Sequence, residues 1–228
     1  MNISTARLGQ AAGVAAAAAG AIYIAVQVNH PAMTVESATT TDWVVRNAAK
    51  TAMAALALAG ITGIYLRQHA RAGLVGLVGY LVLSAGFLMM FATTFMAAFA
   101  LPTTARTDPA WTGDVIQAAF HGSAGGDIGA LTTVFAVTGV AYVLGGLLFG
   151  VTTFRAGILS RWAAVLLAVG NVSTAALAVL PQSFNRPLAV PTGLALIGLG
   201  ISLWRDQHTA AGAVTTPAPQ GRPAASVR

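Results

Sequence analysis

Apolar residues run through this chain in six long stretches, at about 8–28, 48–66, 73–101, 129–153, 162–180 and 187–204, with short polar joints between them. A helix that crosses a bilayer needs about 20 mostly apolar residues. Each stretch therefore predicts a transmembrane helix, and the fold class is all-α, a polytopic helical bundle of six spans. The third, "GLVGLVGYLVLSAGFLMMFATTFMAAFAL", is long enough that it has to tilt or project beyond the bilayer. The sixth carries Pro187 in its first turn, where proline is tolerated, and Pro191 one turn on, which predicts a kink.

The joints have patterns of their own. In "DPAWTGDVIQAAFH" (108–121) Asp108 is placed as an N-cap and Pro109 as the first helical residue. Trp111, Val115 and Ala119 share one face, and Asp114, Gln117 and His121 another. The segment predicts a short amphipathic helix in the outer interface. Gly122, Gly125, Gly126 and Gly129 then punctuate the turn into the fourth span, and Asp127 is placed to cap that span's first turn. Residues 1–205 form the transmembrane domain on this reading. Residues 206–228, rich in Ala, Pro and Thr and without an apolar period, read as a disordered cytoplasmic tail.

Composition strengthens the membrane reading. Hydrophobic residues are 56% of the chain and charged residues 8%, against roughly a quarter charged in a soluble domain. So few charges cannot cover a water-exposed surface. The net charge of +6 does not point to nucleic acid, because the basic residues stand singly at the ends of apolar stretches and form no stripe. Their placement sets an orientation instead. Arg7, Arg67, Arg71, Arg155, Arg161, Arg205, Arg222 and Arg228 fall on one side with Asp206, while the other side holds five of the six acids with Arg46, Lys50, Arg106 and Arg186. By the positive-inside rule both termini are cytoplasmic. The first stretch follows Arg7 as a signal peptide would, but it is long for an h-region and no A-x-A site follows, so it reads as a retained span. The preference for Arg over Lys, with much Ala, Gly and Val, points to a GC-rich bacterial genome and hence a bacterial plasma membrane.

"RAGLVGLVGYLVLSAG" (71–86) and "RAGILSRWAAVLLAVG" (155–170) align without gaps, each running from a cytoplasmic turn to a glycine, and both spans stop at Leu-Pro (101–102 and 180–181). They suggest a duplicated helical hairpin, or chance in an Ala/Gly/Leu-rich background. "AIYIAVQVNHP" (21–31), "TAMAALALAGITGIYLRQ" (51–68), "GLVGYLVLSAGF" (76–87) and "TGVAYVLGGLLFGVTTFRAGILSRWAAVLLAVG" (138–170) resemble a broad group of uncharacterised multi-pass membrane proteins of actinobacteria and related bacteria. The resemblance implies about six spans and plasma-membrane residence over residues 10–205. It brings no activity, cofactor or catalytic residue.

Candidate chemistry is sparse. No ionisable residue lies near the centre of a span, which counts against a pump or proton-driven carrier. Asn171, Thr138 and Ser84 are the polar residues expected to make contacts in the bundle or to line a cavity. Gly146 with Gly150, and Gly60 with Gly63, read as close helix packing. Met89 and Met96 share a face of the third span but have no His or Cys beside them for a copper site. On the outer side His30, His121 and Asp127 have the residue types of a divalent-metal site, without a diagnostic spacing. There is no Walker loop, no G-x-S-x-G elbow and no cysteine, so no catalytic residue and no cofactor are assigned. Three functions remain open. One is a non-enzymatic accessory or sensory subunit, whose partners are the lipid bilayer and another membrane protein or a second copy. The others are a passive transporter or channel for a neutral or hydrophobic solute, and an outer-face metal-dependent membrane protein. A polar cavity at Asn171 would favour transport, converging histidines the metal protein, and a closed core of Leu and Ala the subunit.

Overall fold

The computed structural model describes residues 4–178 and 185–215, and every regular element among them is helical. In order these are α1 (Thr5–Ala25), α2 (Val35–Ala38), α3 (Thr41–Phe99), α4 (Leu101–Thr107), α5 (Pro109–His121), α6 (Leu131–Ala156), α7 (Arg161–Ser173) with a 3-10 turn over Thr174–Ala178, and α8 (Asn185–Thr215). Four helices are long and apolar enough to cross a membrane: α1, α3, α6, and α8 over Arg186–Thr209.

Two of the six expected stretches are joined in α3. It is interrupted at Gly73, whose φ of 60° and ψ of −165° lie outside helical geometry. The two halves fold back on each other. Trp43 Nε1 donates to the carbonyl of Ala97 at 2.7 Å, Thr51 Oγ1 to Thr94 Oγ1 at 3.1 Å, and Thr62 Oγ1 meets Tyr80 OH at 3.0 Å. Partners closer to Gly73 in sequence are closer to each other, which is the signature of an antiparallel hairpin.

The fifth expected stretch is not one continuous α-helix. α7 has 13 residues, only ~20 Å at ~1.5 Å per residue. The 3-10 turn carries the chain about 10 Å further. The switch falls where Ser173 and Thr174 turn their hydroxyls back onto the carbonyls of Gly170 (2.8 Å) and Asn171 (2.6 Å), a bond that competes with the helical ladder. At the other end of the chain α8 continues through residues 206–215, which composition assigned to a disordered tail. Arg67 holds Asp206 with two hydrogen bonds, and Gln207 lies over Gly9. These contacts anchor the first turn of that extension. Residues 216–228 of the expected tail, and the second Leu-Pro, lie outside the described residues.

The long helices form a closed ring. α1 packs between α8 and the first half of α3, the second half of α3 packs on α6, and α6, α7 and α8 follow in turn. Small residues set the approach: Ala16 sits against Gly60, the Leu83 backbone against Gly145, and Ala164 and Ala168 against Gly150. The centre is filled by Ala57, Ile61, Leu83, Phe149, Leu167 and Leu199, all without solvent exposure. Gly73 and Gly157, equivalent in the two aligned stretches, both have positive φ (60° and 65°). Both lie where the chain turns, and Arg71 Nη1 reaches the carbonyl of Ala156 at 3.4 Å, so the two turns touch. Gly86 and Gly170, which end the two stretches, pack on Tyr142 of α6 and Thr192 of α8.

Over the opposite end of the ring α2, α4 and α5 form a cap. Its core joins Ala38, Trp43, Leu101, Val115, Ile116 and Ile128. Asp108 accepts from the Trp111 amide at 3.0 Å and starts α5, and Gly122 ends it in the left-handed region at φ 73°.

Candidate functional site

Between the cap and the end of the α3 hairpin lies a cavity of about 130 Å³, open on one side. Its apolar wall includes Trp43, Met96, Phe120 and Phe135; Asn47 and Lys50 bring polar groups to it. Trp43 is fixed by its bond to Ala97, and Asn47 by donating to the carbonyl of Trp43 at 2.9 Å. Thr94 Oγ1 is held on the carbonyl of Met90 at 2.7 Å.

Lys50 leads from this cavity to the loop that follows α1. Its Nζ lies 2.9 Å from His30 Nε2, and His30 Nδ1 lies 2.9 Å from the carbonyl of Pro31. A carbonyl only accepts, so Nδ1 carries the imidazole proton and Nε2 presents its lone pair to the lysine. Burial, and then the positive charge of Lys50, push His30 down to about 4, so it is neutral at pH 7. Arg46 donates to both oxygens of Asp42 at 2.9 Å and to the carbonyls of Val26 (3.1 Å) and Val28 (2.7 Å). Arg186 donates to Pro31 at 3.3 Å. Three cations thus meet residues 26–31, and of these Arg46 is paired with Asp42.

Asn171 is fully buried, at the centre of a second polar cluster. Its Nδ2 donates to the Tyr142 carbonyl at 3.0 Å and its Oδ1 accepts from Thr192 Oγ1 at 3.1 Å. Tyr142 OH in turn donates to Tyr23 OH at 3.2 Å, joining α6 to α1. Gly146 faces Asn171, with the amide side chain lying where a Cβ would stand. Thr138 bonds back to the Val134 carbonyl at 2.6 Å within its own helix. The buried Ser84 Oγ has no hydrogen-bond partner among the described residues. Gly60 faces Ala16, Gly63 faces Ala12, and Gly150 faces α7.

The metal set drawn from the sequence is not brought together. Among the described residues no three His, Asp or Glu side chains are grouped to hold an ion. Both nitrogens of His30 are engaged by Lys50 and Pro31, and Asp127 Oδ1 accepts from the Gly129 amide at 2.8 Å. Asp127 is not the helix cap that its position suggested. α6 begins after Ala130 with no side-chain cap, so Asp127 closes the turn before the helix. The carboxylate that organises the glycine segment is Asp114, which accepts from the Gly125 amide at 3.0 Å and lies against Gly126. Sequence reading missed Asp114 in this role, and it missed the Lys50–His30 pair and Thr192. The Lys50–His30 partners are 20 residues apart and share no helix, so no spacing rule connects them.

Fold and site together define an all-helical protein with four helices able to cross a membrane, a closed core and a capped cavity at one end. Comparisons with known protein families, curated proteins and solved structures gave no match to this chain.

Proposed function

We propose that this chain is a six-span protein of a bacterial plasma membrane with both termini cytoplasmic, acting as a non-enzymatic accessory or sensory subunit. On this reading the two halves of α3 are separate spans, and α7 with its 3-10 turn is the fifth. The turns at Gly73 and Gly157 and the Arg67–Asp206 pair then face the cytoplasm, and the cap faces outward. The single observation that supports a subunit over a carrier is the closure of the interior around Asn171. Both ends of its amide are satisfied by the bundle, and the side chain has no solvent exposure. A solute path needs polar groups left open to the solute, and here they are used to join α6, α7 and α8.

The test is solute flux. Full-length protein reconstituted in vesicles should add nothing to the permeability of protein-free vesicles toward glycerol, urea or an uncharged amino-acid amide. Saturable uptake of any of these would overturn the subunit reading in favour of a passive carrier.

A further inference from the structure

Among the described residues Lys50 has an acceptor but no counter-charge. Of its three N–H donors one meets His30, which is a neutral acceptor and offsets no charge. All six acids of the chain fall in the described residues, and neither ion pair among them includes Lys50 or Arg186. Asp42 is taken by Arg46, Asp108 by the Trp111 amide, Asp114 by Gly125, Asp127 by Gly129, and Asp206 by Arg67 at the far end, while Glu36 stands exposed on α2. Lys50 is part-buried, and a charge drawn out of water is normally paired. The described residues do not supply that pair, although Lys50 stands on the wall of a cavity that is otherwise mostly apolar.

The cavity also limits what can enter. Its volume of about 130 Å³ is close to the ~150 Å³ that holds one benzene ring. One alkyl chain end fits that space, and the paired chains of a phospholipid do not. The cavity is not enclosed, so the rest of a longer chain can extend out of it.

We propose that this cavity binds a single-chain amphiphilic carboxylate, its head on Lys50 Nζ and part of its chain against Trp43 and Phe135. The inference deepens the sensory reading above and rests on it for the outward position of the cap. The two fail separately, because binding can be absent while the vesicles stay impermeable, and flux can appear while binding persists.

The experiment uses the full chain in non-ionic detergent, with Trp111, Trp162 and Trp204 replaced by Phe so that Trp43 alone fluoresces. Bromine-labelled dodecanoate should quench Trp43 saturably, and at least tenfold more tightly than bromine-labelled dodecanol. Lys50→Met should bring the two to one affinity, and Lys50→Arg should retain the preference. If Lys50→Met does not fold, the wild-type acid-to-alcohol ratio and Lys50→Arg decide. Equal affinity for acid and alcohol, absence of saturable quenching, full competition by inorganic phosphate, or competition by phosphatidylglycerol but not by dodecanoate would each overturn the proposal.

Discussion

Gly146→Ala is expected to be among the most damaging single-methyl changes in α6, while the same change at Gly139 in that helix is harmless. A Cβ on Gly146 would overlap the Cγ and Nδ2 of Asn171 and stand 2.5 Å from its Cβ. Rotating the amide away cannot relieve the contact with that Cβ, so α6 and α7 must separate or the backbone must shift. Overpacking of this kind costs ~1–3 kcal/mol. Displacing the amide also strains its two hydrogen bonds, at ~0.5–1.5 kcal/mol each. The better helix propensity of Ala returns about 1 kcal/mol. The net expectation is a loss of about 3 kcal/mol, or roughly 6–12 °C in Tm for a chain of this size. At Gly139 a Cβ meets nothing within 4 Å, so only the propensity term remains and Tm should rise by roughly 2–4 °C. Melting the two variants beside wild type in one detergent measures the difference. Coupling sharpens it. Gly146→Ala should cost far less in an Asn171→Gly background, whereas Asn171→Ala, which keeps the Cβ, should rescue only part. If Gly146→Ala and Gly139→Ala melt together, the close approach of α6 to α7 is wrong.

Three further outcomes follow from the capped end and the proposed topology. Asp114→Ala should loosen the glycine segment by about 1 kcal/mol, read as faster amide exchange at residues 122–128, with Asp127→Ala affecting only the turn at 127–130. Unfolded His30 takes up a proton near its ordinary value of about 6.5, while the folded side chain, pushed down to about 4, stays neutral. Wild-type stability relative to His30→Gln should therefore be greatest above pH 6.5, fall as pH drops from 6.5 to 4, and change no further below it. A flat difference across that window would refute the buried neutral imidazole. In intact cells His69→Cys should be shielded from an impermeant thiol reagent and Thr107→Cys should react; the reverse pattern would invert the proposed orientation.

The helical class was legible because it depends on local quantities, the length and purity of each apolar stretch. The signals at the ends of α5 are local too: Asp108 supplies an acceptor three residues from Trp111, and Gly122 supplies the left-handed turn. What the sequence hid depends on contacts between distant residues. Asp127 and Asp114 are both acids near glycines, and only the fold shows that Asp114 reaches across 11 residues to the Gly125 amide. The 3-10 ending of α7 was hidden because apolar content does not register hydroxyls turned back onto carbonyls. His30 drew attention as a metal-binding residue type, yet its partner is a lysine from another helix. Residue type alone could not separate those two roles.

Ring closure carries a consequence for biosynthesis. The seam that shuts the ring joins α1 to α8, with Gly13 against the Gly200 carbonyl and Gly20 against that of Gly193. About 160 residues separate the end of α1 from the start of α8. At ~5–20 residues per second, α1 waits on the order of 10–30 s for its mate to leave the ribosome. Throughout that interval its glycine-lined stripe lacks its partner, and any other helix with small residues is a competitor. The seam therefore makes α8 the helix that rescues α1, and a nascent chain halted before α8 would leave an adhesive α1 behind.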